Sequence, residues 1–400
     1  MPQVRVKSLV AWLVLALLAG AGALAAFPQT ALAHATLGST DPPANEIVAS
    51  SPGRVELRFT EPVEETYTTV ILVDQLGQEV GGTSFQIEST DATLVRLTIP
   101  DDLARGTYSV VWRTLSAADG HRFSGYFAFT IGSTADVRTV IPPTFDADAG
   151  APDWLNYGSR WLVFLALSAL AGLWFAWLAF VRPALAPVWQ AAPGIVPRIR
   201  IYAFLAGALY LAANALALLV QVWGQTEGDA IGSVIDTLTD TRWGNRWILR
   251  MLIGSLLTIA LMVAPWWWPR RRRSMTAVIL LLSAILPLPH ALVSHSSAAQ
   301  IGRTEAIMAD YYHLIAMVAW FGGLLLILAV MRAGSDLLPG GRWAYLVRLM
   351  PRFSVVALVC WAALGLSGFY AGYLHVGAWS GLTDTEYGRS LLYKLFAVVI

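Results

Sequence analysis

Six stretches of about twenty residues, almost free of charge, restrict this chain more than any other feature. They lie at about 159–181, 201–223, 246–268, 275–295, 305–332 and 353–375. Runs of that length fit a bilayer, where only a helix satisfies its own backbone hydrogen bonds. The second part of the chain, 154–400, is therefore expected to be an all-α polytopic membrane bundle. A seventh apolar run starts near Ser390 and reaches Ile400 after eleven residues. That is too short to cross as a helix, so the last span is read as truncated. Seventeen Trp and a hydrophobic fraction of 56% agree with a membrane chain.

What precedes the bundle is different. Arg5 and Lys7 stand ahead of an apolar run, Leu9 to Leu24, and small residues lead to Ala31-Leu32-Ala33. This is the pattern of a secretory signal, so residues 1–33 are expected to be cleaved. Residues 34–133 then show apolar residues at every second position: Val55, Leu57 and Phe59; Val95, Leu97 and Ile99; Tyr108, Val110 and Trp112; Phe127, Phe129 and Ile131. Period two between glycine-bearing turns predicts an antiparallel sandwich or barrel. Residues 134–153, with Pro142-Pro143 and Ala149-Gly150-Ala151-Pro152, read as a linker.

Charge sets sidedness and excludes some partners. Between 34 and 133 there are thirteen Asp and Glu against six Arg, with no Lys. An acidic domain suits a cationic ligand and argues against nucleic acid. The loops after the first, third and fifth spans carry Arg182, Arg198, Arg200, Arg270–Arg273, Arg332, Arg342, Arg348 and Arg352. The positive-inside rule puts these in the cytoplasm and residues 34–133 outside, on the extracytoplasmic face of a bacterial inner membrane. The one cysteine, Cys360, lies in a span, which excludes a disulfide and a cysteine-based zinc site.

The chemistry concentrates in six histidines. Cleavage after Ala33 would make His34 the first residue, offering a metal its α-amine and its ring together. Asp119 and His121, either side of Gly120, stand two apart on an extended segment and face the same way. Amine, imidazole and carboxylate suit tetragonal Cu(II), with zinc the alternative; a domain without Met or Cys disfavours Cu(I). Glu61, leaving a strand, is either a carboxylate that orients a ligand histidine or a solvated turn residue. The remaining four, His290, His295, His313 and His375, all fall in the outer half of the membrane region. Ionisable side chains there usually line a bundle interior, which makes them candidates for a metal pathway. Pro287 and Pro289 must break the helix beside His290.

At these residues a family resemblance becomes specific. His34-Ala35-x-Leu37, Pro42-Pro43, Leu57-x-Phe59-x-Glu61-Pro62-Val63, Gly106-x-Tyr108-x-Val110-x-Trp112-Arg113 and the SAADGHRFSG run Ser116–Gly125 resemble the CopC copper-resistance family. Tyr312-His313-Leu314 through Trp320-Phe321-Gly322-Gly323, and Ser390-Leu391-Leu392-Tyr393-Lys394-Leu395, resemble CopD. The resemblance to CopC–CopD fusions implies a cupredoxin or immunoglobulin-like Greek-key sandwich binding Cu(II) through His34, Asp119 and His121. It also implies a membrane half associated with copper import, where Cu(I) is the other candidate state. A periplasmic copper chaperone is a candidate partner beside copper and the lipid bilayer; the sequence sets no oligomeric state. Two features depart from the family. Its Met-rich Cu(I) motif is absent, and Arg122 stands where a proline is common. The expected role is binding and transport without catalysis; a copper-dependent oxidative enzyme and a haem-bearing electron carrier are the alternatives.

Overall fold

The computed structural model describes residues 36–118, 120, 122–138, 151–185, 195–223, 230–298, 302–334 and 341–376, with Thr383 and Leu392. Its first part is all-β. The strands are β1 (Leu37–Asp41), β2 (Ile47–Val48), β3 (Arg54–Phe59), β4 (Thr69–Val73), β5 (Ser84–Glu88), β6 (Asp91–Thr98), β7 (Gly106–Leu115) and β8 (Arg122–Ile131). They form two four-stranded sheets, ordered β1-β3-β6-β5 and β2-β8-β7-β4. The pairings are antiparallel except β2 with β8.

The alternating residues explain why the sheets stack. Val55, Leu57, Phe59, Val95 and Leu97 from one sheet and Val70, Leu72, Val110, Trp112, Phe127 and Phe129 from the other form one buried cluster. Phe59 meets Trp112 edge to face across the sandwich, with centroids 5.2 Å apart. All four predicted alternating runs are strands or run into one. β4 is an unbroken TVILV run, so its alternation is hidden even though Val70 and Leu72 point into the core. The long β7–β8 pair runs in register from Gly106 with Ile131 to Leu115 with Arg122. The two strands are joined by Ser116 to His121, the loop picked out by sequence.

The second part is helical: α1 (Asp153–Ala176, prolonged by one π-type turn, Trp177–Val181, to Leu185), α2 (Ile195–Val222), α3 (Ala230–Asp240), α4 (Arg242–Ile285), α5 (Leu288–Ala291), α6 (Arg303–Gly334) and α7 (Gly341–Val376). Six segments are long and apolar enough to cross a membrane: Trp154–Ala184, Arg200–Val222, Arg242–Val263, Arg273–Ala291, Arg303–Arg332 and Ala344–Tyr370. The six expected spans are all present. The seventh run falls outside the described residues, apart from Leu392.

The segment before the third span adds an amphipathic helix, α3. Two details differ from expectation. Arg348 and Arg352, assigned to a loop, lie on α7, where Arg352 Nη1 donates to the Arg348 carbonyl at 2.9 Å. Both arginines are exposed on the first few turns of α7 and keep their charge in water, so helix and charge are compatible. Finally, the third and fourth spans belong to one 44-residue helical run, α4. A straight helix of that size would be about 66 Å long. Yet Arg250 near its start touches His290 just past its end, at 3.4 Å. The run must therefore reverse direction between Arg250 and His290, and the segment between them carries Pro265 and Pro269, which have no N–H to give a helix. The two apolar halves are antiparallel, as the separate spans required.

α1 and α6 cross at glycine. A Cβ on Gly322 would collide with the Ser168 carbonyl oxygen and lie 2.7 Å from the Gly172 Cα, both of them backbone atoms. Backbone cannot yield as a side-chain tip does, so the helices would have to part. Gly322→Ala is expected to destabilise the bundle by about 1–3 kcal/mol, read as a lowered melting temperature of the detergent-purified protein. Gly368→Ala serves as control, since nothing lies within 4 Å of a Cβ there.

Candidate metal centre

Three candidate ligands, His34, Asp119 and His121, lie outside the described residues; what surrounds them is described. Ser116 ends the β7 side of the loop in an isolated bridge with Val63. Its hydroxyl donates to Glu61 Oε2 at 2.6 Å and accepts from the Ala118 N–H at 3.1 Å. Ala117 N–H donates to the Pro62 carbonyl and Gly120 N–H to that of Ser116, at 2.8 and 2.9 Å. Gly120 closes the turn at φ 74°, which suits glycine. On the opposite side, Thr36 N–H donates to Thr60 Oγ1, and Thr60 N–H to the Thr36 carbonyl, both at 3.0 Å. The chain just after His34 is thus fastened one residue from Glu61, and the loop around Asp119 is fastened to Glu61 itself.

Glu61 is 2% exposed. That removes the solvated-turn alternative: a buried carboxyl must be held by hydrogen bonds, and Ser116 supplies one of them. Arg122 opens β8 on the other side of His121, paired with Leu115. Arg122 is exposed, yet partial desolvation by its packed surroundings and the charge of Arg113 on the neighbouring strand make its guanidinium hold its proton less firmly than usual.

The same loop rests on the helical bundle. Gln221 Nε2, at the end of α2, donates to the Gly120 carbonyl at 2.9 Å. Ser297 Oγ, in the turn after α5, donates to the Ala118 carbonyl at 3.2 Å. A Cβ on Gly120 would lie 3.1 Å from Gln221 Nε2 and 3.3 Å from Trp243 Cδ1, so a larger residue would press on the bundle. Around this centre, Tyr67 OH and Thr237 Oγ1 are 3.0 Å apart, and Arg242 N–H donates to Glu64 Oε1 at 2.8 Å. Burial at this seam raises the pKa of Glu64, against the pull of that N–H, and also raises that of Tyr67.

A buried polar column continues below. Arg250 stacks over the Trp243 ring at 4.9 Å. Its Nη1 lies 3.4 Å from His290 Nδ1, and His290 Nε2 lies 3.1 Å from Tyr210 OH. A guanidinium only donates, so Nδ1 is the acceptor and the imidazole proton sits on Nε2, directed at Tyr210. Both ring nitrogens of His290 are engaged here, and a metal would have to displace Arg250 to reach Nδ1. Among the described residues, Arg250 Nε and Nη2 have no hydrogen-bond partner. His313 Nδ1 lies 2.9 Å from Ser367 Oγ, which donates to the Ala363 carbonyl at 2.6 Å. His295 lies in the Ser297 turn and His375 in the last turn of α7. Among the described residues no three His, Cys, Asp or Glu side chains gather closely enough to hold a metal.

With this geometry in view, comparison with known proteins is decisive. Residues 37–132 match the CopC domain, 151–303 the N-terminal domain of copper resistance protein D-like proteins, and 347–400 copper resistance protein D. The chain joins a CopC domain to a CopD-type membrane half. The copper transport protein CutJ of Bacillus subtilis is 28% identical over 396 residues, 96% of this chain and 68% of its own. Protein YobA of Escherichia coli is 28% identical over 99 residues, 25% of this chain and 79% of its own. The crystal structure of CopC from Methylosinus trichosporium OB3b is 33% identical, covering 27% of this chain and 99% of that one, with a TM-score of 0.23. The families are copper-resistance families, and the chain is a multi-pass membrane protein. The polar residues of the seam, Gln221, Ser297, Tyr67 and Thr237, have no counterpart in the sequence reading. Arg250 could have been found, since a charge inside an apolar span is itself a signal.

Proposed function

We propose that the CopC domain captures Cu(II) outside the membrane through His34, Asp119 and His121, and that the CopD half takes copper inward. The observation that carries this reading is the contact between the halves: the carbonyls on both sides of Asp119 accept hydrogen bonds from the membrane bundle. A metal loop seated on the bundle has its cargo at the entrance, without a diffusing carrier between the two halves. The ligand set is supported by chain geometry as well. Two residues span at most about 7 Å, so a chain beginning at His34 starts within that reach of Thr36, beside Glu61. Amine, imidazole and carboxylate donors on an acidic domain without Met or Cys favour Cu(II) over Cu(I).

Inside the bundle, His290, His295, His313 and His375 are the proposed pathway ligands. His290 joins only when Arg250 withdraws from Nδ1. The name of CutJ, a copper transport protein, supports transport, and the arginine pattern supports an outer position for the CopC domain; the inward direction is part of the proposal. Cellular copper, measured at fixed external copper with and without the protein, is expected to be higher in its presence. Lower copper in its presence would reverse the direction.

A further inference from the structure

We propose that Gln221 and Ser297 are positioning residues through which the membrane half sets the copper affinity of the outer domain. The inference rests on the Cu(II) reading above and adds to it a coupling between docking and binding. Its basis is the placement of two hydrogen bonds. Gln221 donates to the carbonyl after Asp119 and Ser297 to the carbonyl before it, at 2.9 and 3.2 Å. The two donors come from different parts of the bundle, the end of α2 and the turn following α5. The loop is also fastened on its own side, by Ser116 to Glu61. Ala118 and Gly120, the neighbours of position 119, are thus held from two directions, one of them the bundle.

A ligand loop held in one conformation loses less freedom when metal arrives, so binding is tighter while the domain is docked. Linkage makes the effect reciprocal: if docking strengthens copper binding by some factor, copper strengthens docking by the same factor. Movement of either bundle element would then loosen the carboxylate ligand and favour release. Gly120 belongs to the same device, because the space where its side chain would be is closed by Gln221 and Trp243.

The test uses the full chain in detergent, with Cu(II) titrated against a chelator of known affinity and the bound ion examined by electron paramagnetic resonance. Gln221→Ala with Ser297→Ala is expected to raise the Cu(II) dissociation constant about tenfold, within the range usual for coupled sites. The resonance parameters should stay those of the wild type, since the ligands are unchanged. Ser297→Thr, which keeps the hydroxyl, should retain wild-type affinity. Amide exchange in α3, on the docking seam, should slow on copper addition in the wild type and respond less in the double variant. Equal affinity of wild type and double variant, with both folded and loaded, overturns the coupling and leaves the Cu(II) reading standing. A wild type that binds no Cu(II) overturns both.

Discussion

Replacing Glu61 with alanine is expected to cost the CopC domain about 3 kcal/mol and most of its Cu(II) affinity. The carboxyl is buried and takes a 2.6 Å hydrogen bond from Ser116 Oγ. Truncation leaves that hydroxyl without its acceptor in a dry site, a loss of about 1–3 kcal/mol, and adds the cavity of the missing atoms. The functional loss follows from position. Ser116 also accepts from the Ala118 N–H and, through its carbonyl, from Gly120 N–H, so it fixes the backbone on both sides of Asp119. Thr60, the residue before Glu61, holds Thr36, two residues after His34. One side chain therefore stands between the two segments that carry the proposed ligands. Glu61→Gln separates the contributions. It keeps an oxygen for Ser116 and nearly the same volume, so stability should largely return, while any electrostatic help to a ligand histidine is lost. Denaturant unfolding and copper titration of the two variants check this. Equal copper affinity in wild type and Glu61→Ala would remove Glu61 from the site.

The parts of this protein that sequence discloses are those with local periodicity. Val55, Leu57 and Phe59 announce β3 because the pleat alternates faces within six residues, and twenty apolar residues announce a span because backbone in lipid has no other solution. The CopC motifs around Glu61 and Ser116–Gly125 are likewise contiguous. What escapes is contact between distant segments. Gln221 and Gly120 are 101 residues apart, Ser297 and Ala118 are 179 apart, and no pattern along the chain links them. Gln221 reads locally as a polar residue closing an apolar helix, which is an ordinary place for one.

Glu61 shows the intermediate case. Its position after a strand fits both a solvated turn and a ligand support, and only burial separates the two. Arg250 is the opposite case, a charge in an apolar run with one partner, Trp243, two turns away on the same helix and another, His290, brought back by the reversal of α4. The histidines of the bundle share a depth by sequence but not a set of partners: His290 meets Arg250 and Tyr210, whereas His313 meets Ser367. A common pathway therefore requires side chains to move, Arg250 first.

The central claim, a Cu(II) brace delivered to the mouth of a membrane bundle, stands or falls on the three outer ligands. In the proposed site, cleavage after Ala33 would give His34 a free amine, and that amine with two imidazoles and one carboxylate would define a single tetragonal site. The direct measurement is Cu(II) binding by the purified full chain, followed by paramagnetic resonance, in the wild type, His34→Ala and His121→Ala. The wild type is expected to bind one Cu(II) tightly with nitrogen hyperfine structure, and each variant to lose tight binding. Retained affinity in either variant would contradict the brace.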